Sequence, residues 1–327
     1  MTSISVENNL TDDTNYLDLL DKVIFNPIFI MGDHRSGTTL LYKTLVATGC
    51  FNFVKASHII KYDEILSNHI NQIENQAIKE LEKLFASQGI SDRRIDKVMA
   101  TPNLAEEYGF ILKNVGGEKF CIAPENLPIF QQLCRKIQFV SDLDKLLLLK
   151  NPWDFSQFMY VNSVVPNAKY IFIHRNPIHV INSKLKAARS LFASYSPYNA
   201  LLDKSYSELF KKPAELFSCR IRNSKWFNLG LEQYLKQSIR FSDYFLENIE
   251  SLSEKDYLSL RYEDLCEAPE VNIHRILEFL SLEPRVTLDY QKLIQTRPIE
   301  LLPEVKKHSK QITERLQPYF AYHGFDS

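Results

Sequence analysis

The chain has 327 residues, 45% of them hydrophobic, which is enough for one large domain with an insertion or two small ones. Its formal net charge of -1 excludes a global basic field that recruits nucleic acid, so any anion site must be local. Five dispersed cysteines with no C-x-x-C pair favour neither a zinc site nor a disulfide framework and point to a reducing compartment. The stretch before Lys22 is polar and acidic, unlike a signal peptide. No apolar run reaches membrane-spanning length. A soluble, cytoplasmic protein is expected.

Residues before about Asp21 read as a loose arm or a short packing helix. Pro27 to Met31 is an apolar run of strand length. Gly32 to Thr39 is a polar loop, and Leu40, Leu41, Thr44 and Leu45 then recur at helical spacing. A loop between a strand and a helix N-terminus aims free N–H groups and the positive end of the helix dipole at an anion. Gly37 lets the backbone approach closely. Ser36, Thr38 and Thr39 add hydroxyls, and Arg35 adds a cationic fork. Gly32, Gly37 and Thr39 have P-loop spacing, but Thr38 stands where the P-loop lysine should be. That argues against ATP or GTP hydrolysis.

Phe51 to Ile60 holds a second short strand with His58 close behind. Ile60 to Gly89 has a helical pattern. Pro102 to Lys113 is expected to be a helix with Leu104, Glu107, Tyr108, Ile111 and Leu112 on one face, and Leu127 to Phe139 another. Lys145 to Lys150 is a core strand, followed by a helix from Trp153 to Val161. Ala168 to His174 is a third strand, and Ile178 to Arg189 is a helix. Strand, helix and strand make a βαβ unit, hence parallel pairing and a right-handed crossover. Ligands on such sheets sit at the strand C-termini, where the first loop, Lys150 and Arg175 all fall. Leu191 to Glu215 is irregular. Ser218 to Ile249 reads as one long amphipathic helix around Trp226, Leu229 and Tyr234. Tyr257 to Tyr262 is a fourth strand, Val271 to Leu280 a helix, and Lys306 to Lys310 a basic run.

The motifs together are similar to those of sulfotransferases that use 3′-phosphoadenosine 5′-phosphosulfate (PAPS). Arg35-Ser36-Gly37-Thr38-Thr39-Leu40 resembles their 5′-phosphosulfate loop. Arg175-Asn176-Pro177 with Ser183 resembles their 3′-phosphate motif. Leu149-Lys150-Asn151-Pro152 is similar to the Lys-x-Pro segment of the bacterial and tyrosylprotein branches. Arg261-Tyr262-Glu263-Asp264-Leu265, with Ile276 to Leu280, resembles the family's C-terminal segment. The resemblance implies an α/β, three-layer P-loop-NTPase-like fold with a central parallel sheet. It implies one domain over residues 1–327, with a mainly helical insertion at about 60–140 and a lid-like stretch at about 190–217. It also implies in-line sulfuryl transfer to an acceptor hydroxyl without a metal, leaving adenosine 3′,5′-bisphosphate (PAP).

On that reading Lys150 stabilises the leaving oxygen, Arg35 and the loop hold the 5′-phosphate, and Arg175 and Ser183 read the 3′-phosphate. His58 and Glu107 compete for the general base, burial being expected to raise the pKa of Glu107. Tyr262 or Trp226 would stack on adenine, and Lys306 to Lys310 would close over the 3′-phosphate. Phe192, Tyr195 and Tyr198 hint at an apolar acceptor, with a small molecule, sugar, lipid or acyl chain favoured over a protein tyrosine. The alternatives are a nucleotide kinase or NTPase, which wants a lysine at Thr38 and a strand-end aspartate for magnesium, and a non-catalytic nucleotide-binding module.

Overall fold

A computed structural model describes residues 12–95, 98–295 and 298–326. Five parallel strands form one sheet in the order β2-β3-β1-β4-β5. They are β1 (Pro27–Met31), β2 (Phe51–Phe53), β3 (Leu146–Lys150), β4 (Lys169–His174) and β5 (Tyr257–Arg261). Because side chains alternate along a strand, the sheet buries both faces. Phe29, Leu147, Leu149, Tyr170 and Phe172 pack on one side. Ile28, Ile30, Leu148, Ile171 and Ile173 pack on the other. The first face is covered by the helices between β2 and β3 and by the long helix before β5. The second is covered by the helix after β1 and by those after β5. This is the expected three-layer architecture.

The helix after β1 is α1 (Thr38–Ala47). Between β2 and β3 come α2 (Ala56–Ile60), α3 (Ile65–Ile70), α4 (Glu74–Ser87), α5 (Gly109–Gly116) and α6 (Leu127–Phe139). The single helix expected over 60–89 is therefore broken, with Gln72 in the left-handed region at φ 59°. A 3-10 turn (Pro152–Gln157) and α7 (Phe158–Val164) join β3 to β4. After β4, α8 (Pro177–Ala193) opens on Pro177, and the Asn176 side chain accepts the N–H of Ile178. Then follow α9 (Pro197–Leu202), α10 (Lys204–Phe210), α11 (Pro213–Arg222) and α12 (Leu229–Asn248). The long helix expected from Ser218 is thus two helices. Asn228, left-handed at φ 52°, breaks them apart. Beyond β5 lie α13 (Tyr262–Glu267), α14 (Pro269–Phe279), α15 (Tyr290–Leu293), α16 (Pro303–Lys307), α17 (Ser309–Arg315) and α18 (Gln317–His323). Among the described residues no helix is long and apolar enough to cross a membrane.

Residues 104–107 also differ from expectation. They run extended beside the exit of β2, where Glu106 N–H donates to Val54 O (2.9 Å) and Ala56 N–H to Leu104 O (2.9 Å). These inter-strand bonds outcompete helix formation, so α5 begins only at Gly109. Glu107 therefore reaches the sheet edge from an extended segment and not from a helix face.

Candidate active site

β1, β3 and β4 end side by side, and a cleft of about 1150 Å³ opens over their C-terminal edge. At its floor is the turn after β1. Arg35 and Gly37 both take positive φ, 72° and 103°, which curls the backbone into the first turn of α1. A Cβ on Gly37 would fall 2.3 Å from the ring of Tyr262, so only glycine fits there. Thr38 and Thr39 begin α1 and line the cleft. Ser36 does not, because its hydroxyl is buried against Gly32.

Lys150 ends β3 and is 1% exposed. Its Nζ donates to Thr39 Oγ1 at 3.0 Å and to Glu107 Oε1 at 2.5 Å. Burial pushes the Glu107 carboxyl up, but the Lys150 ammonium, and after it the Arg93 guanidinium, outweighs that and holds it below the usual value. The expected rise is thus reversed, and Glu107 is a carboxylate. Burying such a pair costs desolvation that the attraction only roughly offsets, so the pair can exchange its contacts for those of a ligand.

A buried carboxylate sets that geometry. Asp154 accepts from Tyr108 Oη (2.5 Å), Ile122 N (2.8 Å), Asn151 Nδ2 (2.6 Å) and Gln157 Nε2 (2.7 Å). Tyr108 follows Glu107 and Asn151 follows Lys150, so one hub fixes both members of the pair. Asn151 and Gln157 are local partners three residues either side, but the tie from Asp154 to Glu107 runs through Tyr108, which is distant in sequence. Beside it, Glu106 is fully buried, held by Arg93 (3.0 and 3.1 Å) and by the hydroxyl of Tyr198 (2.7 Å). Burial raises its pKa against the pull of Arg93.

The other wall carries the second expected motif. Arg175 follows β4 and donates to the carbonyl of Arg35 (3.1 Å), and its guanidinium lies 4.3 Å from the centre of the Tyr262 ring. Its Nε is buried without a hydrogen-bond partner among the described residues. Ser183, on α8, accepts from Arg35 Nε at 3.0 Å. Lys184, one residue on, is buried against Asp33 (2.7 Å), which stiffens the turn. Lys43, Lys186 and Lys292 add cations to the lining.

Beside the phosphate-type loop, part of the cleft wall is aromatic. Phe120 stacks on Trp153 with centroids 4.4 Å apart, and Phe110 meets Trp153 edge-on at 5.8 Å. His34 packs edge-on against the same indole at 4.8 Å. Burial drops its pKa to about 4, against the pull of Glu107 and Asp33, so its imidazole is neutral. Leu191, Phe192, Leu202 and Tyr206 extend this wall.

Several expectations fall away. His58 does not line the cleft; its Nδ1 accepts the Lys55 N–H (3.2 Å) at the start of α2, and burial pulls its pKa to about 3. Trp226 is 76% exposed and lies outside the cleft. The Lys306–Lys310 run is not in the lining either; the C-terminal stretch that reaches the cleft includes Lys292, Pro298 and Glu300. Asn182 and Lys186 on α8 pin the last of these through the Glu300 carbonyl (3.1 and 2.6 Å). Of the three aromatic residues near 195, only Phe192 lines the cleft. Tyr198 supports Glu106, and Tyr195 packs on Tyr206.

A profile of the Sulfotransferase family matches residues 27–285. The chain belongs to the sulfotransferase family. Two mycobacterial relatives, from Mycobacterium bovis and Mycobacterium tuberculosis, are each named omega-hydroxy-beta-dihydromenaquinone-9 sulfotransferase Stf3. Each is 27% identical over 282 residues, which is 78% of this chain but 63% of the relative's length. Among solved structures, sulfotransferase STF1 from M. tuberculosis H37Rv superposes with a TM-score of 0.60 at 15% identity, covering 94% of this chain and 81% of that one. STF9 from Mycobacterium avium gives 0.56 at 13% identity, covering 96% and 72%. Both likenesses show the sulfotransferase fold.

Proposed function

We propose that the protein moves a sulfuryl group from PAPS to the hydroxyl of an apolar acceptor, as a single domain acting in the cytoplasm without a metal. The observation that carries this reading is the place of Lys150: its ammonium joins the hydroxyl of Thr39, in the anion loop, to the carboxylate of Glu107, which shares the cleft with an aromatic wall. The residues fit a 3′-phosphorylated donor. Among the described residues Arg175 keeps a buried Nε without a hydrogen-bond partner, beside a loop that also presents Arg35, Thr38 and Thr39.

When bound, PAPS supplies the sulfuryl group and a good leaving group. The loop N–H groups, Arg35, Thr38 and Thr39 would hold the 5′ end, and Arg175 and Ser183 the 3′-phosphate. Tyr262, whose ring already backs Gly37 and Arg175, is our candidate for the adenine side. Lys150 would neutralise charge on the leaving oxygen, a role commonly worth about a hundredfold to a thousandfold in turnover. Freed from Lys150, the Glu107 carboxylate would take the acceptor's proton. The aromatic wall would exclude water and hold the acceptor. The acceptor named for the mycobacterial relatives, a hydroxylated menaquinone, is of this kind, and a lipid-like alcohol or phenol is our reading here.

Incubation with sulfur-labelled PAPS and a panel of phenols and long-chain alcohols tests the reading. Label is expected in an organic-soluble product. Hydrolysis of ATP with magnesium, and no transfer to any acceptor, would overturn it.

A further inference from the structure

The corner between α11 and α12 is unlike the rest of the surface. Within residues 217–229 five large apolar side chains are exposed: Phe217 (64%), Ile221, Trp226 (76%), Phe227 (59%) and Leu229. Phe217 and Ile221 are four residues apart on α11 and share its outer face, while Leu216 turns inward. Folding a soluble chain gives no reason to concentrate so much apolar area in one corner.

Charge is concentrated there too. Residues 211–229 hold five cations; Lys211 and Lys212 pair with Glu208 and Glu215, which leaves Arg220, Arg222 and Lys225 as the basic excess, in a chain whose total is -1. Lys225 lies 5.2 Å from the centre of the Trp226 ring. Exposed Trp and Phe interleaved with Lys and Arg match the boundary of a bilayer, where rings sit among headgroups and cations meet anionic lipid. A second copy of this chain fits poorly, because pairing two such corners would oppose two basic patches.

The corner also adjoins the active-site cleft. A shallow groove of about 300 Å³ beside Trp226 is lined by Ala188, Phe192, Arg220 and Lys225. Ala188 and Phe192 line the large cleft as well. Arg220 ties the two together by donating to the carbonyls of Phe192 (2.8 Å) and Ala193 (3.2 Å).

We infer that the α11–α12 corner docks on an anionic lipid bilayer, with Phe217, Trp226 and Phe227 among the headgroups, so that an apolar acceptor passes from the membrane over Phe192 into the cleft. The acceptor route rests on the activity proposed above; the docking does not. No helix needs to cross the membrane, because the contact is peripheral.

Sedimentation of the full chain with vesicles tests the docking without donor or acceptor. Binding is expected to vesicles of phosphatidylcholine mixed with phosphatidylglycerol and to be much weaker to phosphatidylcholine alone. Trp226→Ala/Phe227→Ala should weaken it by about tenfold or more. Arg222→Gln/Lys225→Gln should weaken it on the order of twenty-five-fold, at about fivefold per basic residue. Trp226 and Trp153 are the two tryptophans of the chain. Emission should therefore shift to the blue on binding and be quenched by brominated lipid, and Trp226→Phe should remove most of both changes while preserving sedimentation. PAP binding, measured on the same variants, should stay within about twofold of the parent, which separates lost docking from a lost fold. Equal binding of the parent and the two double variants to anionic vesicles, no binding at all, or self-association through this corner in place of vesicle binding would overturn the inference.

Discussion

At the loop end of the cleft, the polar groups proposed to hold the donor leave the C-terminal edge of a parallel strand or the helix that follows it. At the aromatic end, Phe110 and Phe120 come from the β2–β3 connection, Trp153 from the β3–β4 connection, and Leu191, Phe192 and Tyr206 from the β4–β5 connection. The first end is fixed by the sheet and by buried pairs such as Lys184–Asp33. The second is assembled by ring contacts between segments remote in sequence. The contrast teaches that the groups proposed to hold the donor are set by the sheet, whereas the apolar wall depends on side-chain contacts between connections. Lys150 and Glu107 lie where the two meet.

Substitutions can break this division. The largest effect is expected for Lys150→Ala, with kcat falling by about a hundredfold to a thousandfold, while PAP still raises the melting temperature. Steady-state kinetics and a thermal shift assay check both halves. Retained turnover would remove Lys150 from the chemistry.

Glu107→Gln should lower kcat by about a hundredfold or more, whereas His58→Ala should change it by less than about threefold, since His58 serves the backbone at α2. The sign of the pH dependence follows from the depressed pKa of Glu107. The base is active when ionised, so kcat/KM is lost only as pH falls below the ordinary glutamate value of about 4.3. A flat profile from about pH 8 down to pH 5 is expected. An acid limb near neutrality would point to another base.

Trp153→Leu sharpens the comparison at the aromatic end. KM for an apolar acceptor should rise by about tenfold, with PAP affinity unchanged by calorimetry. Equal losses on both sides would mean that the two ends are not separable.

The smallest effect lies outside the cleft. His174 is buried, with Nδ1 2.5 Å from Tyr319 Oη and its ring stacked 3.9 Å from that of His323. Burial lowers both pKa values, that of His323 to about 3. The unfolded chain therefore binds protons that the folded chain refuses, and stability falls as pH drops below about 6.5, by about 1 kcal/mol per pH unit for each histidine. His34 and His58, whose pKa values burial also lowers, act in the same direction, so melting temperatures between pH 7.5 and 5.5 should show a combined slope, and His323→Phe should reduce it by about one histidine's share.

The sheet and the loop end were legible because each is written locally. An apolar run followed by Gly32 to Thr39, or by Lys150 or Arg175, names a strand and what leaves it. Helix continuity was less legible. Asn228 and Gln72 break helices by adopting left-handed backbone that apolar periodicity does not register. Glu107 was found, but on the wrong element, because the bonds of residues 104–106 to the exit of β2 are non-local. The roles of His34 and of the Phe110–Phe120–Trp153 group exist only once distant segments meet, and Asp154 reaches Glu107 only through the distant Tyr108. Trp226 was misplaced because an exposed tryptophan and a core tryptophan look alike in a helical pattern.

Calorimetric titration with PAP and with adenosine 5′-monophosphate is the most direct test of the central claim, that the loop after β1 and the Arg175–Ser183 pair grip one doubly phosphorylated nucleotide. PAP should bind at least about tenfold tighter, as expected for charge-assisted hydrogen bonds to a second phosphate, and Arg175→Met should erase most of that preference. Equal affinities of the parent protein for the two nucleotides would contradict the account.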